Sequence, residues 1–541
     1  MKNISIIVLL CLLINTIQGQ DIKYTIDSIL FLNYNNSAAG ASVLVQLEDS
    51  VIYENYFGKA DLANDIAISS QTIFNIGSVS KQFTVFAILL LEEEGKLSIG
   101  DDIRRYIPEL PDYGVTITLE QLARHTSGLK NVNFLARMAG WRQTDMSTHQ
   151  QMLDLLFRQE SIDFIPGTAY KYSNAGTMLL AEVVQRVAGI PFSTFMNEHV
   201  FQPLGMKNSF VRDEVGMVIK NEAHGYYWEH EKMNKAINAF SNIGYTNVYS
   251  TVFDLSLWAS NFRTPKVGNK KVIGKMLSPT ILHDGRVVEH AMGLFNTPHH
   301  ATYQIQHSGS HRAYLAYFGM FPEYGLDIII CSNVSNFDLF GTVDEVAKLF
   351  VKGEPKSEIR PRPEWVSLSE DQMNKFNGHY WLEAEKISRK IFTRNDTLVY
   401  SSGNGKESYY RPINKYTFCS LDNNSTLKFE EDKCYFIDQN EASELVKYIP
   451  VKLQPEALEN YAGTYYSYEL NASYELVIEH DKLIAKSPKM KPIIFTPIME
   501  NVFTSNQWFL NGIKFKANGN NLEGFYASNV QVSNIWFKKI G

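Results

Sequence analysis

Gln71-Thr72-Ile73-Phe74-Asn75-Ile76-Gly77-Ser78-Val79-Ser80-Lys81-Gln82-Phe83-Thr84-Val85-Phe86-Ala87-Ile88-Leu89-Leu90-Leu91 is the stretch on which the reading of this chain turns. Its first seven residues read as an extended segment closed by a glycine, and the apolar run from Phe83 to Leu91 reads as a buried helix. Residues i and i+3 share a helix face, so Ser78 and Lys81 meet at the helix entrance. A serine hydroxyl attacks poorly unless a base takes its proton, and a desolvated lysine with a lowered pKa is such a base. The same S-x-x-K spacing recurs at Ser127–Lys130 and Ser425–Lys428. The first of these carries a helix-ending glycine, Gly128, and the second lies among alternating strand-like residues, so Ser78 is the one placed at a helix start.

The chain has 541 residues, too many for one core, and divides into two or three domains. A hydrophobic fraction of 45% fits a folded protein, and an aromatic fraction of 13% suits deep clefts or β-barrels. A net charge of −7 with no basic block argues against nucleic acid as a partner. Residues 1–20 read as a signal peptide: Lys2 gives a positive start, Ile4 to Ile14 an apolar run too short to span a bilayer, and Gln18-Gly19-Gln20 its end. The mature chain, with no second run long enough to span, is expected to be exported, periplasmic or secreted from a bacterium. Of the cysteines left after processing, Cys419 and Cys434 have the spacing to close a short loop, while Cys331 reads as a packed strand residue.

From 21 to 352 the chain mixes strands and helices. The pattern predicts a helix near Thr25–Leu32, a hairpin from Ser42 to Gly58, a helix-rich middle, strands at Tyr303–Gln306, Tyr314–Phe321 and Leu326–Cys331, and a last helix near Val343–Phe350. A charged, proline-rich linker, 353–370, follows. Beyond it, strand-turn-strand patterning repeats. Phe376-Asn377-Gly378-His379-Tyr380-Trp381 is echoed by Tyr461-Ala462-Gly463-Thr464-Tyr465-Tyr466, and Asp396-Thr397-Leu398-Val399-Tyr400 by Asp481-Lys482-Leu483-Ile484-Ala485, both at an offset of 85. A constant offset implies two copies of one domain, 371–453 and 454–541, each long enough for about eight strands and an antiparallel closed barrel.

A serine nucleophile needs further partners. Tyr172-Ser173-Asn174 lies between the Pro166-Gly167 turn and an apolar helix, where a loop can present a phenol and an amide to a cleft. His307-Ser308-Gly309 lies beside a strand, where glycine permits close approach of a substrate backbone. With these elements in this order, residues 21–352 resemble the penicillin-recognising serine hydrolases, the branch of class C β-lactamases, DD-peptidases, D-aminopeptidases and related esterases. The resemblance extends through His125-Thr126-Ser127-Gly128-Leu129, Phe201-Gln202-Pro203-Leu204-Gly205-Met206 and Tyr249-Ser250-Thr251-Val252-Phe253-Asp254-Leu255.

The resemblance implies an α+β catalytic domain, an antiparallel sheet flanked by helices with a helical subdomain, followed here by the two barrels, a layout similar to that of D-aminopeptidases. It implies Ser78 as the acylated nucleophile, Lys81 as its proton-transfer partner, Tyr172 as the relay to the leaving group, and His307 in the place of the lysine of K-T-G. Asn174, Gly309 and Ser310 would bind substrate, with the backbone N–H groups of Ser78 and Ser310 as oxyanion hole. A buried amine beside a phenol is expected to move both pKa values toward neutrality. No cofactor and no metal is implied: His299, His300 and His311 lack the spacing and carboxylate company of a metal site and read as loop residues. Arg312-Ala313 departs from the glycine common a few residues after the third motif. The expected partner is a small peptide, amide or ester, with a homo-oligomer left open. The expected activity is acyl transfer through Ser78 on a peptide or amide with D-residues. A small-ester esterase, a β-lactamase and an inactive ligand-binding receptor are the alternatives; the absence of K-T-G disfavours the β-lactamase, and G-x-S-x-G is absent too.

Overall fold

Ala41-Ser42-Val43-Leu44-Val45-Gln46-Leu47 carries apolar side chains on both faces, as a strand covered on both sides must. In the computed structural model, which describes residues 22–30, 38–353, 364–383, 386–401, 407–421, 425–438, 441–519 and 521–541, this segment is an interior strand. The targeting segment read at 1–20 and residues 354–363 of the linker lie outside the described residues. Strand β1 (Ala41–Leu47) forms a hairpin with β2 (Ser50–Phe57), and the chain returns to the same sheet with β3 (Phe295–His299), β4 (Thr302–His311), β5 (Tyr314–Phe321) and β6 (Leu326–Ser332). The six strands run antiparallel in the order β3-β4-β5-β6-β1-β2, with Ala41 opposite Ser332 where the two chain segments meet.

Side chains alternate across that sheet. Val43, Val45, Ile328 and Ile330 point to one side, where they pack with Ile26 and Leu30 of the helical residues 22–30 and with Val343 and Val346 of a C-terminal helix (Leu339–Lys348). Leu44, Ile329 and Cys331 point to the other, the side on which α4 (Val252–Arg263) lies against their strands, and they share one core with α1 (Ser80–Glu93), α2 (Val132–Met138) and α3 (Asn174–Ala188). Helix α1 is apolar all round, from Phe83 to Leu91, because it is sandwiched between the sheet and the helical subdomain. Gln82, at its start, accepts from the indole N–H of the buried Trp258 on α4.

The two repeats form two closed eight-stranded antiparallel barrels, from Gly378 to Tyr448 and from Gly463 to Lys539. Their first strands begin at Gly378 and Gly463 and their third at Thr397 and Lys482, the offset seen in the sequence. The barrels are attached differently. The second shares one apolar core with the helical subdomain, running from α1 through Tyr474, Phe503 and Phe537. Across that joint Lys130 Nζ pairs with Glu469 Oε1 at 3.1 Å, both buried, and the Tyr474 hydroxyl donates to the Met138 carbonyl at 2.8 Å. The first barrel closes around a core of its own, including Tyr410, Phe418 and Leu445, and Trp381 packs it against Ile498 and Val502 of the second.

The link that the spacing of Cys419 and Cys434 left open is not made: both are free thiols, as is Cys331. Cys419 is opposite Thr426 and Cys434 opposite Phe429, so the strand Thr426–Glu430 lies between their strands. Two interstrand spacings, about 9.6 Å, exceed the reach of a disulfide, roughly 7 Å between Cα atoms. The reading of the histidines also needs correction. His299 ends β3 and His311 ends β4, so neither is a loop residue. Carboxylate company comes from Asp344 on the C-terminal helix, 2.7 Å from His300 Nε2 and 3.9 Å from His299 Nε2, with Lys348 on its other oxygen at 2.7 Å.

Candidate active site

Two glycines decide how the nucleophile turn meets the sheet. Gly77 has φ +53°, and a Cβ there would lie 2.7 Å from Ser310 N; a Cβ on Gly309 would lie 2.0 Å from the Ile76 carbonyl oxygen and 3.1 Å from Ser78 N. Only bare backbone lets β4 press against the 3₁₀ turn Gly77–Val79 that feeds α1. That contact brings the N–H groups of Ser78 and Ser310 to the same edge. Asn75 fixes the turn: its Oδ1 accepts from Gly77 N at 2.8 Å, and its Nδ2 donates to Asn247 Oδ1 at 3.0 Å.

Lys81 Nζ donates to Ser78 Oγ at 3.0 Å and to the Tyr245 carbonyl at 3.0 Å. The lysine is fully buried, and burial pushes its pKa well below the usual lysine value. It makes no ion pair among the described residues. The other two S-x-x-K lysines do: Lys130 pairs with Glu469 and Lys428 with Glu430. Burial with no carboxylate beside it biases this amine toward its neutral form, and that separates Lys81 from its two look-alikes.

Tyr172 precedes α3, whose entrance is capped by Ser173 Oγ accepting from Ala175 N; Ser173 N in turn donates to His125 Nδ1 at 3.3 Å. Lys81 Nζ lies 4.9 Å from the centre of the Tyr172 ring. Burial raises the phenol's pKa, and hydrogen bonding with Ser78 offsets this only in part. The expected shift of both groups toward neutrality therefore occurs for Lys81 alone. Asn174, the first residue of α3, has a buried Oδ1 with no partner among the described residues.

His307 sits on β4 with 2% of its surface exposed, its Nδ1 2.6 Å from the Ser308 carbonyl and its Nε2 without a partner among the described residues. Burial, with Lys81 second, lowers its pKa to about 3. The imidazole is neutral, so where a lysine would offer a cation this chain offers a lone pair. Behind Tyr172 lie two further buried histidines, His125 and His290, with ring centres 4.6 Å apart. Burial, the largest cause, pushes the pKa of both well down, and a proton on Lys81 would push them further the same way.

The structure thus gathers Ser78, Lys81, Tyr172, His307, Gly309 and Ser310 around one edge of the sheet, and Asn174 follows Tyr172 by two residues at the start of α3. Residues 29–351 match the Beta-lactamase family. The chain belongs to that family. Among curated relatives, Penicillin-binding protein 4* of Bacillus subtilis is 27% identical over 308 residues, 54% of this chain and 67% of the relative. The D-aminopeptidase of Brucella anthropi is 24% identical over 257 residues, 47% of this chain and 48% of the relative, so the match spans about half of that enzyme. The octameric penicillin-binding protein homologue from Pyrococcus abyssi shares the fold, with a TM-score of 0.54 at 20% identity over 84% of this chain and 96% of its own. Membership of the Beta-lactamase family makes the chain a serine hydrolase. No helix among its described residues is long and apolar enough to cross a membrane.

Sequence reading missed several groups at this site. Tyr245-Thr246-Asn247 matches Y-x-N and passes for chance, yet Tyr245 supplies the carbonyl under Lys81 and Asn247 steadies Asn75. The left-handed backbone of Asn247, φ 68°, is invisible in sequence. Trp508, from the second barrel, lines a cavity together with Ser310 and could not be placed there from local pattern.

Proposed function

We propose that the protein is an exported hydrolase that forms an acyl-enzyme on Ser78 and cleaves an amide in a peptide containing D-residues. The observation that carries this reading is Lys81 Nζ, buried, free of any carboxylate among the described residues, and 3.0 Å from Ser78 Oγ. As a free amine it takes the hydroxyl proton while Oγ attacks the carbonyl carbon. The developing oxyanion lies between the N–H groups of Ser78 and Ser310. Tyr172, protonated because burial raises its pKa, gives its proton to the departing amine and regains one from Lys81. Water then repeats the steps in reverse: Tyr172 and Lys81 take its proton, and Ser78 leaves with one. Asn174 Oδ1 accepts from the substrate amide, and His307 Nε2 accepts from a donor on the substrate.

A D-configured substrate is supported by the relative that is a D-aminopeptidase, and self-association by the octameric neighbour. Absence of K-T-G and a neutral His307 weigh against efficient β-lactam hydrolysis. The test is to label the purified protein with a fluorophosphonate, map the adduct, and profile D-amino acid amides, D-Ala-D-Ala peptides and short-chain esters. Labelling at Ser78 with turnover of a D-configured amide is expected; labelling elsewhere, or undiminished labelling of Ser78→Ala, refutes the assignment.

A further inference from the structure

A cavity of about 360 Å³ opens beside Ser310, walled by Trp141, Phe240 and, from the second barrel, Trp508. Two arginines reach into it from different elements, Arg137 on α2 and Arg312 in the turn between β4 and β5. The Arg312 guanidinium lies 4.4 Å from the centre of the Phe240 ring, and the Arg137 guanidinium 5.0 Å from that of Phe509. The Nε of each is buried and has no hydrogen-bond partner among the described residues, and neither arginine makes an ion pair there. The remaining charges in the cavity wall answer each other, since Arg142 holds Asp145 at 2.7 Å.

Other arginines with little exposure have their groups answered: Arg263 pairs with Asp327 and Asp49, Arg186 with Glu109 and Glu182, and buried Arg212 donates to the Glu214 and Asn238 carbonyls and the Tyr249 hydroxyl. Two half-buried guanidinium groups face one cavity with no carboxylate in contact with either, although Arg137 Nη1 donates to the Trp141 carbonyl and Asp145 lies in the same wall; such an arrangement becomes more favourable when an anion enters. The turn that aims Arg312 is itself strained. Arg312 and Ala313 adopt φ of 47° and 71°, a left-handed conformation that side-chain-bearing residues rarely take. Burial, opposed by Tyr245 and reinforced by the repulsion of Arg137, lowers the Arg312 pKa to about 10, which leaves it cationic at neutral pH.

We propose that the substrate of Ser78 carries a carboxylate, held in this cavity by Arg312 and Arg137 against the indole of Trp508. The proposal rests on Ser78 being the nucleophile and adds the charge of what it attacks. His307, neutral, leaves the two arginines as the cations available to such a group.

The test uses the full chain and two p-nitrophenyl esters of equal shape, the mono-ester of succinic acid and that of succinamic acid, which differ in a carboxylate against a carboxamide. Charge-assisted, bidentate hydrogen bonding predicts a kcat/KM ratio in favour of the anionic ester of about tenfold or more. Arg312→Gln and Arg137→Gln each bring that ratio toward one, with Arg312→Lys intermediate. Two further pairs locate the carboxylate: D-glutamyl against D-glutaminyl p-nitroanilide for a side chain, and a peptide acid against its amide for a chain terminus. A wild-type ratio near one, or a ratio that survives both substitutions, overturns the proposal. If no ester is turned over and Ser78 is not labelled, the hydrolase reading fails by itself. Calorimetric titration of glutarate then decides the subsite: binding lost in Arg312→Gln supports it, and no binding to the wild type overturns it.

Discussion

Gly309→Ala tests how the oxyanion site is built. The added methyl would stand 2.0 Å from the Ile76 carbonyl oxygen, where contacts under 3.0 Å do not persist, so β4 must retreat from the nucleophile turn by at least the difference, about 1 Å. The same methyl would be 3.1 Å from Ser78 N, so the retreat separates the two N–H groups that are to share the oxyanion. A misplacement of about 1 Å, or loss of one oxyanion donor, costs on the order of 10² in kcat, equivalent to about 2.7 kcal/mol of transition-state stabilisation. Turnover of p-nitrophenyl acetate and the rate of fluorophosphonate labelling report it, with near-ultraviolet circular dichroism to show that the variant is folded. Gly274→Ala is the control, because a Cβ there meets nothing within 4 Å. A folded Gly309→Ala enzyme with kcat within threefold of wild type would refute the claim that this backbone approach forms the site.

Lys81→Met is expected to abolish turnover while raising the midpoint of urea unfolding by the equivalent of about 1–2 kcal/mol, because it replaces a buried amine that has no counter-charge; a less stable variant contradicts this. The kcat/KM profile is expected to rise with pH through a Lys81 pKa that burial has lowered, so a rising limb centred near 10.5 would exclude Lys81 as the base. Buried His307 and His311 take a proton at about 3 in the folded chain but near 6.5 when unfolded. The unfolded state therefore binds more protons in that window, and stability should fall as pH drops from 6.5 toward 3; an unchanged urea midpoint between pH 7 and pH 5 would contradict this. Glu469→Ala leaves Lys130 buried without its partner and is expected to cost about 3–5 kcal/mol, read as a loss of urea midpoint, whereas a cost under about 1 kcal/mol would show that the joint tolerates it.

What was legible in the sequence was local. Ser78 and Lys81 are one helical turn apart, so spacing alone joins them, and the apolar run after them predicts the buried helix that strips Lys81 of water. The barrels were legible because the chain writes them twice. The rest depends on partners distant in sequence. Tyr245 meets Lys81 across 164 residues, and a backbone carbonyl has no residue signature. The phenol of Tyr172 moves away from neutrality because burial outweighs its contact with Ser78, and burial is a property of the assembled fold. Cys419 and Cys434 are close in sequence, yet the up-and-down strand order interposes a strand between theirs. His299 and His300 acquire Asp344 only when the last helix docks on the sheet.

The core shared by the second barrel and the helical subdomain has a consequence for synthesis. A ribosome releases α1, α2 and α3 early, but side chains that complete their packing, Tyr474 through Phe537, are encoded far downstream. The nucleophile's own domain therefore reaches its final packing only once Phe537 has emerged, and a premature stop codon between residues 460 and 537 should act as a folding lesion rather than a trimmed tail. The first barrel, wrapped around a core of its own, is the part of the gene that an in-frame deletion could remove at least cost.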